Sequence, residues 1–282
     1  MSVDMDGVNG ALATLWTAHE GMHTLLMLLA LCSIRILVVF VVLPAASDQV
    51  LMGGVRNGVV YAISLFIAAG QPADTLSRLD SMTMVIIAGK EMFIGLVIGY
   101  AASSVFWIAQ SVGVIIDNMA GFNNIQTSNP LRGEQSTPIS NVLIQLAIVL
   151  FYVSGGMLLL LGAIFESFRW WPLTATLPSL DAMTQSFLIS RVDTIASATV
   201  KLAAPVMLVL ILIDLAFGLV AKAADKLEPS SLSQPVRGAV ALLMLVLLTG
   251  SLVEQVKTEF TFEHFQALVQ RGTLGAAGPA PR

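Results

Sequence analysis

The sequence predicts an all-α integral membrane protein of about six long apolar helices, and three observations predict it. Hydrophobic residues make up 56% of the 282, and charged residues only 11%, against roughly 25% charged in an ordinary soluble domain. The mean hydropathy is +0.84. The apolar residues also fall into six runs rather than spreading evenly. A soluble chain of this size still exposes many positions to water, so it cannot hide that much apolar surface. A soluble globular enzyme and a disordered chain are excluded. The net charge of −4 gives no basic footprint for phosphates, so nucleic acid is excluded as a partner. Membrane lipid, or equally apolar protein, is the solvent of most of the chain.

Residues 1–23 carry Asp4, Asp6 and Glu20 and no Lys or Arg. A secretory signal needs a basic start, so the first apolar run is expected to stay uncleaved as a helix. That run covers residues 24–43, long enough to span a bilayer. It holds the single cysteine, Cys32, which has no intrachain partner and reads as a small apolar filler. Further runs cover residues 50–69, 82–116, 138–164, 191–221 and 236–253, separated by polar or Pro-bearing links. Backbone groups in lipid must be satisfied within the segment, so the runs are helices. Alternation suited to a β-barrel is absent. The run 82–116 has roughly 35 residues, about 50 Å as one helix, and a bilayer core is only about 30 Å thick. It must break, or run on outside the bilayer against other protein. Lys and Arg in the links fall on both alternating sides and fix no orientation. Residues 254–282 form a polar tail whose Gly/Ala/Pro-rich end is expected to be disordered.

Several ionisable groups lie inside apolar runs, where an unpaired one costs at least about 2.5–3.5 kcal/mol. Arg35 and Arg56 lie in the first two, Lys90 and Glu91 in the third, Lys201 and Asp214 in the fifth. Lys90 and Glu91 are adjacent and leave a helix about 100° apart. Lys201 and Asp214 are separated by roughly 20 Å of helix. Neither pair is expected to close on itself, and four cations face two carboxylates. Completion by another chain or a watery passage is one expectation; backbone carbonyls and snorkelling are the other. Gly95, Gly99 and Ser103 form a small-residue row, and Gly54 with Gly58 repeats it. Such rows let helix backbones approach closely, most simply within the chain. Pro205 is expected to kink its helix.

His19-Glu20-Gly21-Met22-His23 matches the zinc-protease pattern H-E-x-x-H. A catalytic zinc needs a third protein ligand, and the remaining histidine, His264, stands far along the chain. Gly21 also weakens the helix that the geometry needs. An intramembrane zinc protease is therefore a remote alternative. No nucleophile elbow, phosphate loop or dinucleotide fingerprint is present, so neither enzymatic activity nor a cofactor or metal is expected. A secondary transporter is the nearer alternative, with Pro205 marking a broken helix and Asp214 as its coupling carboxylate.

Residues 90–172 are the most distinctive stretch. The link from Asp117 to Ser140 is rich in Asn, Gly, Ser and Thr, including Asn118, Asn123, Asn124 and Asn129. These offer caps and turns. Pro138 suits the first turn of the following helix, with Thr137 as its N-cap. The link is expected to be an ordered loop that docks on something.

This stretch resembles the T subunit family of the bacterial type III secretion export apparatus, SctT, HrcT, YscT and flagellar FliR, and sits nearer the injectisome branch. The matching pieces are Lys90-Glu91 with Gly95 and Gly99, Ile116-Asp117-Asn118, Asn129-Pro130-Leu131 and Gly133-Glu134-Gln135. Ser154-Gly155-Gly156, Phe168-Arg169 and Trp171-Pro172 continue the pattern. Arg35 with Leu43-Pro44 extends it upstream, and Pro205 with Asp214 downstream. The resemblance implies helical hairpins wound into a spiral export gate in the inner membrane. Residues 24–164 would be R-subunit-like with a polar loop at 117–137, residues 165–190 a connection, and residues 191–253 an S-subunit-like hairpin. The implied partners are R and S subunits, the switch subunit U, the export subunit V and secreted unfolded polypeptides. Asp117 to Gln135 is the implied contact or gating loop. Arg35, Arg56, Lys90, Glu91, Lys201 and Asp214 are the candidate assembly charges.

Overall fold

A computed structural model describes residues 5–71, 80–122, 127–128, 135–173, 175, 180–223 and 229–259. Side chains are described from Gly21 onward in the first helix and from Arg191 onward in the sixth. The elements are α1 (Met5–Val42), α2 (Gly53–Ala69), α3 (Ser81–Ala120), β1 (Thr127–Ser128), β2 (Gln135–Ser136), α4 (Pro138–Val153), α5 (Gly156–Trp170), α6 (Leu180–Ala223) and α7 (Pro229–Glu259). A 3-10 turn, Pro44–Ala46, follows the first helix. The two short strands pair antiparallel, Thr127 with Ser136 and Ser128 with Gln135.

The apolar runs are helical, and four segments are long and apolar enough to cross a membrane: Gly21–Val42, Met82–Ala120, Arg191–Ala223 and Ser233–Ser251. The bent pair α4 and α5 makes a fifth, and α2 is a shorter apolar helix. Several boundaries differ from the sequence-based expectation: α6 starts at Leu180, inside the expected connection 165–190, and α7 runs from Pro229 to Glu259, beyond both ends of the run 236–253. Likewise, α1 begins at Met5, well before residue 24. Of the two alternatives for the run 82–116, α3 takes the unbroken one and extends to Ala120, one helix of 40 residues, because no Pro and no run of helix breakers interrupts it. The run 138–164 is two helices bent by 70°. Gly155 takes φ +78, a left-handed conformation that ends a helix and favours glycine. Gly156 lies against the ring of Phe151, where an added Cβ would stand 2.4 Å from Cδ2. At Pro205 the helix α6 continues unbroken.

The chain divides into two compact units. The first comprises residues 1–102 and 161–178. Its core is formed by Cys32, Ile36, Val39 and Phe40 of α1, Val60 and Ile67 of α2, Ile87, Ile94 and Ile98 of α3, and Ile164 of α5. Small residues set the spacing between α1 and α3. A Cβ on Gly95 would stand 2.5 Å from the Arg35 carbonyl oxygen, and one on Gly99 would stand 3.2 Å from the Val39 Cα. The second row behaves otherwise. A Cβ on Gly54 or Gly58 would meet nothing within 4 Å, so α2 turns this row away from the described residues instead of packing it within the chain.

The second unit comprises residues 103–160 and 179–282. Phe106, Val112 and Ile116 of α3 pack with Ile139, Leu143 and Phe151 of α4, while Ala203, Val206 and Leu210 of α6 and Ala241 of α7 are likewise buried. The Phe106 and Phe151 rings meet edge to face at 5.5 Å. Ser103, third in the first small-residue row, is fully buried in this unit.

The two glycine rows give opposite expectations. Gly95→Ala should lower stability by about 1–3 kcal/mol, because a backbone carbonyl cannot step aside. Gly58→Ala should leave stability unchanged or raise it by about 0.5–1 kcal/mol, through the better helix propensity of alanine. Thermal unfolding of the two variants in detergent micelles distinguishes them.

Candidate functional site

The first unit encloses a knot of charge around Arg35. Its Nε donates to Glu91 Oε2 at 2.6 Å and its Nη2 to Glu91 Oε1 at 3.0 Å. This two-pronged geometry is the strongest form of an Arg–carboxylate contact. Two further hydrogen bonds hold Arg35. Nη1 donates to Ser167 Oγ at 2.9 Å and Nη2 to the Trp171 carbonyl at 3.0 Å. The guanidinium lies 3.8 Å over the Phe168 ring. Both Arg35 and Glu91 side chains are 0% exposed.

Lys90 completes the knot. Its Nζ stands 3.1 Å from Glu91 Oε1. It donates to the carbonyls of Pro172 at 2.9 Å, Leu173 at 3.1 Å and Ala175 at 2.8 Å. This corrects the expectation that adjacent Lys90 and Glu91 cannot meet. Their Cα–Cβ bonds diverge, but the four-carbon lysine stem brings the ammonium back to its neighbour. The knot thereby fastens the chain leaving α5 to α1 and α3. Removing one member of such a buried set costs about 3–5 kcal/mol, because the others are left charged and unpaired.

The other expected charges are placed as follows. Arg56 pairs with Asp48, Nη1 to Oδ1 at 3.1 Å. Asp214 pairs with Arg237 at 3.1 Å, both partly exposed. Lys201 is exposed on α6 and pairs with no carboxylate among the described residues. Five of the six expected charges therefore close within the chain, and Lys201 is the one left for completion by another chain or by water. Sequence reasoning missed Asp48, Ser167 and Arg237. Arg237 was in view as the second residue of the run 236–253, a cation in an apolar stretch like those that were counted.

The second unit holds a separate clasp. Asp117 is fully buried near the end of α3. Its Oδ1 accepts from the Ile139 amide at 3.2 Å and its Oδ2 from the Ser140 amide at 2.9 Å. A carboxylate at these positions satisfies orphan donors of the first helical turn and complements its dipole. The N-cap of α4 is thus supplied from 22 residues upstream. Thr137 holds the N-cap position but makes no side-chain cap bond, and its hydroxyl is buried without a partner among the described residues. Gly113, one turn before Asp117, permits the approach: a Cβ there would stand 2.3 Å from the Ser140 Cα. Asn118 beside it is exposed. Asn129, Pro130, Gly133 and Glu134 lie outside the described residues, and Gln135 is described only as backbone in β2.

The alternatives fare as follows. His23 is exposed on α1, and the His19 and Glu20 side chains lie outside the description, as does His264. With α6 continuous through Pro205 and Asp214 bound to Arg237, the broken helix and free coupling carboxylate of a transporter are absent among the described residues.

The fold and its two internal locks define a multi-pass helical membrane protein. Comparison with known proteins makes this more specific. Residues 26–262 match the model of the bacterial export proteins, family 1, and the chain belongs to that family. It is 32% identical over 215 residues to the Yop proteins translocation protein T of Yersinia pestis, covering 76% of this chain and 82% of that protein. It is 27% identical over 229 residues to the surface presentation of antigens protein SpaR of Salmonella typhimurium, covering 80% and 84%. It is 25% identical over 229 residues to the flagellar biosynthetic protein FliR of Bacillus subtilis, covering 81% and 88%.

The clasp yields a contrast between neighbours in space. Asp117→Ala should destabilise the protein by about 1–2 kcal/mol, the cost of a lost helix cap, whereas Thr137→Ala should change stability by less than about 0.5 kcal/mol. Unfolding midpoints in micelles measure both.

Proposed function

We propose that this chain is a structural, non-catalytic subunit of a type III secretion export gate in the bacterial inner membrane. In this reading it packs with R- and S-type helical-hairpin subunits, beside the switch subunit U and export subunit V, around a passage for unfolded secreted polypeptides. The observation that carries the reading is a contrast in burial. The apolar span of α3 is 61% buried within the chain, whereas those of α6 and α7 are 17% and 22% buried. Leu208, Ile211, Leu212, Leu215 and Leu219 line α6 as exposed apolar residues, and Leu242, Leu243, Val246 and Leu247 line α7. A hairpin so bare, in a family of export proteins, is suited to neighbours of the same helical kind. Tight helix packing and apolar constrictions pass an unfolded chain while holding back ions.

The residues take distinct roles in this proposal. Arg35, Lys90 and Glu91 brace the subunit into a shape that others can bind. Arg56, Lys201 and Asp214, which reach the surface, meet neighbouring subunits. Asp117 with Asn118, Asn129, Pro130, Gly133, Glu134 and Gln135 belongs to the contact or gating loop, with Asp117 as its anchor.

Lys90→Ala and Glu91→Ala should each impair assembly or secretion while the chain still inserts into the membrane. Pull-down of the tagged chain should recover apolar hairpin partners, and vesicles containing the chain alone should take up no small solutes. Normal secretion with both residues altered would remove the bracing role. Solute uptake by the lone chain would overturn the export-gate reading itself.

A further inference from the structure

The junction between α3 and α4 is held from a second side, by α7. Gly121 follows the last residue of α3 in the left-handed conformation, φ +80, which leaves its carbonyl free to accept a bond from outside the helix. Gln234 Nε2 donates to that carbonyl at 3.2 Å. One turn further along α7, Gly238 receives the Phe122 ring. A Cβ on Gly238 would stand 2.9 Å from Phe122 Cζ, so glycine is what lets the ring lie flush against the helix. Gln234 and Gly238 are four residues apart and share one face of α7. They grip two consecutive residues, Gly121 and Phe122. Upstream on α3, Asp117 holds the first amides of α4, with Gly113 seated on Ser140. The result is an unbroken series of contacts from α7 through the end of α3 to the start of α4.

We propose that Gln234, Gly238 and Phe122 are positioning residues: a linkage through which α7 sets the α3–α4 junction. This deepens the export-gate reading and rests on it for its purpose. The bare α6–α7 hairpin is where neighbours would press, and Gly121 and Phe122 lie within the proposed contact loop, Asp117 to Gln135. A shift of α7 moves Gly121 and Phe122 directly, and Asp117 carries the shift to α4. Coupling of this kind needs a physical chain of contacts and a measured dependence of one end on the other.

The structure offers a reporter at the far end. Thr137 is half-buried at the start of α4 and its hydroxyl has no partner among the described residues, so Thr137→Cys removes no hydrogen bond among them. The native Cys32, fully buried in the first unit, is an internal control. The measurement is the maleimide labelling rate of both thiols in native membranes containing the chain, whether or not partners are recovered with it. It is made with and without Gln234→Ala or Phe122→Ala. Each variant should accelerate labelling at position 137 by about fivefold, the factor expected for one lost net hydrogen bond or its equivalent in packing. Cys32 should stay slow and the amount of membrane-inserted chain should be unchanged. No acceleration at position 137, or equal acceleration of both thiols, overturns the linkage. Labelling requires no export, so failure of the linkage and failure of the export-gate reading are separate results.

Discussion

A guanidinium with no access to water sets the terms for the first unit. Arg35 is wholly buried, and an arginine cannot shed its charge by losing a proton. Everything near it is arranged to compensate: a carboxylate engaged on two prongs, a serine hydroxyl, a backbone carbonyl and an aromatic face. Lys90 adds a second cation that is satisfied chiefly by carbonyls of residues 172, 173 and 175. Those carbonyls belong to residues beyond the end of α5, outside its helical hydrogen-bond ladder. The knot thus answers two needs at once. It neutralises charge in an apolar interior and ties down a segment that has no regular structure of its own.

Much of the architecture was legible in the sequence because lipid leaves a chain few choices. Apolar runs of spanning length must be helical, and all six are. The break between α4 and α5 was less legible: Ser154-Gly155-Gly156 is its signal, yet the run around it is as apolar as any other. The charged residues of the knot were legible as costly positions, but their pairing was not. Helical direction alone set Lys90 and Glu91 apart, and the reach of the lysine stem reversed that. Ser167 and the carbonyls after α5 come from more than 70 residues away, beyond any local pattern. The same limit hid the true cap of α4. A local rule pointed to Thr137, while Asp117 fills the role across the fold.

Several motifs that carried the family resemblance acquire a physical meaning in the first unit. Arg35, Lys90, Glu91, Phe168, Trp171 and Pro172 lie in separate parts of the sequence and converge on a single cluster. Gly95 and Gly99 bring α1 and α3 close enough for that convergence. In the second unit Asp117 and Gly113 do the corresponding work at the α3–α4 junction. The α6–α7 hairpin is bound differently, through a buried stripe at Ala203, Val206, Leu210 and Ala241, with most of its apolar surface uncovered. The first unit is locked around its buried charges and the second keeps a largely bare hairpin, and both leave apolar residues exposed, among them Phe66 and Val85 in the first and Val246 and Leu247 in the second, as suits a subunit of a larger helical assembly.

The most direct test of this account is a double-mutant cycle on Arg35→Met and Glu91→Leu, read as unfolding free energy in micelles. Each single change should cost about 3–5 kcal/mol by stranding a buried charge. The double change should cost less than the two together by at least about 2 kcal/mol, since it strands fewer charges. If the two costs simply add, Arg35 and Glu91 do not act as one interaction, and the knot does not hold the first unit together.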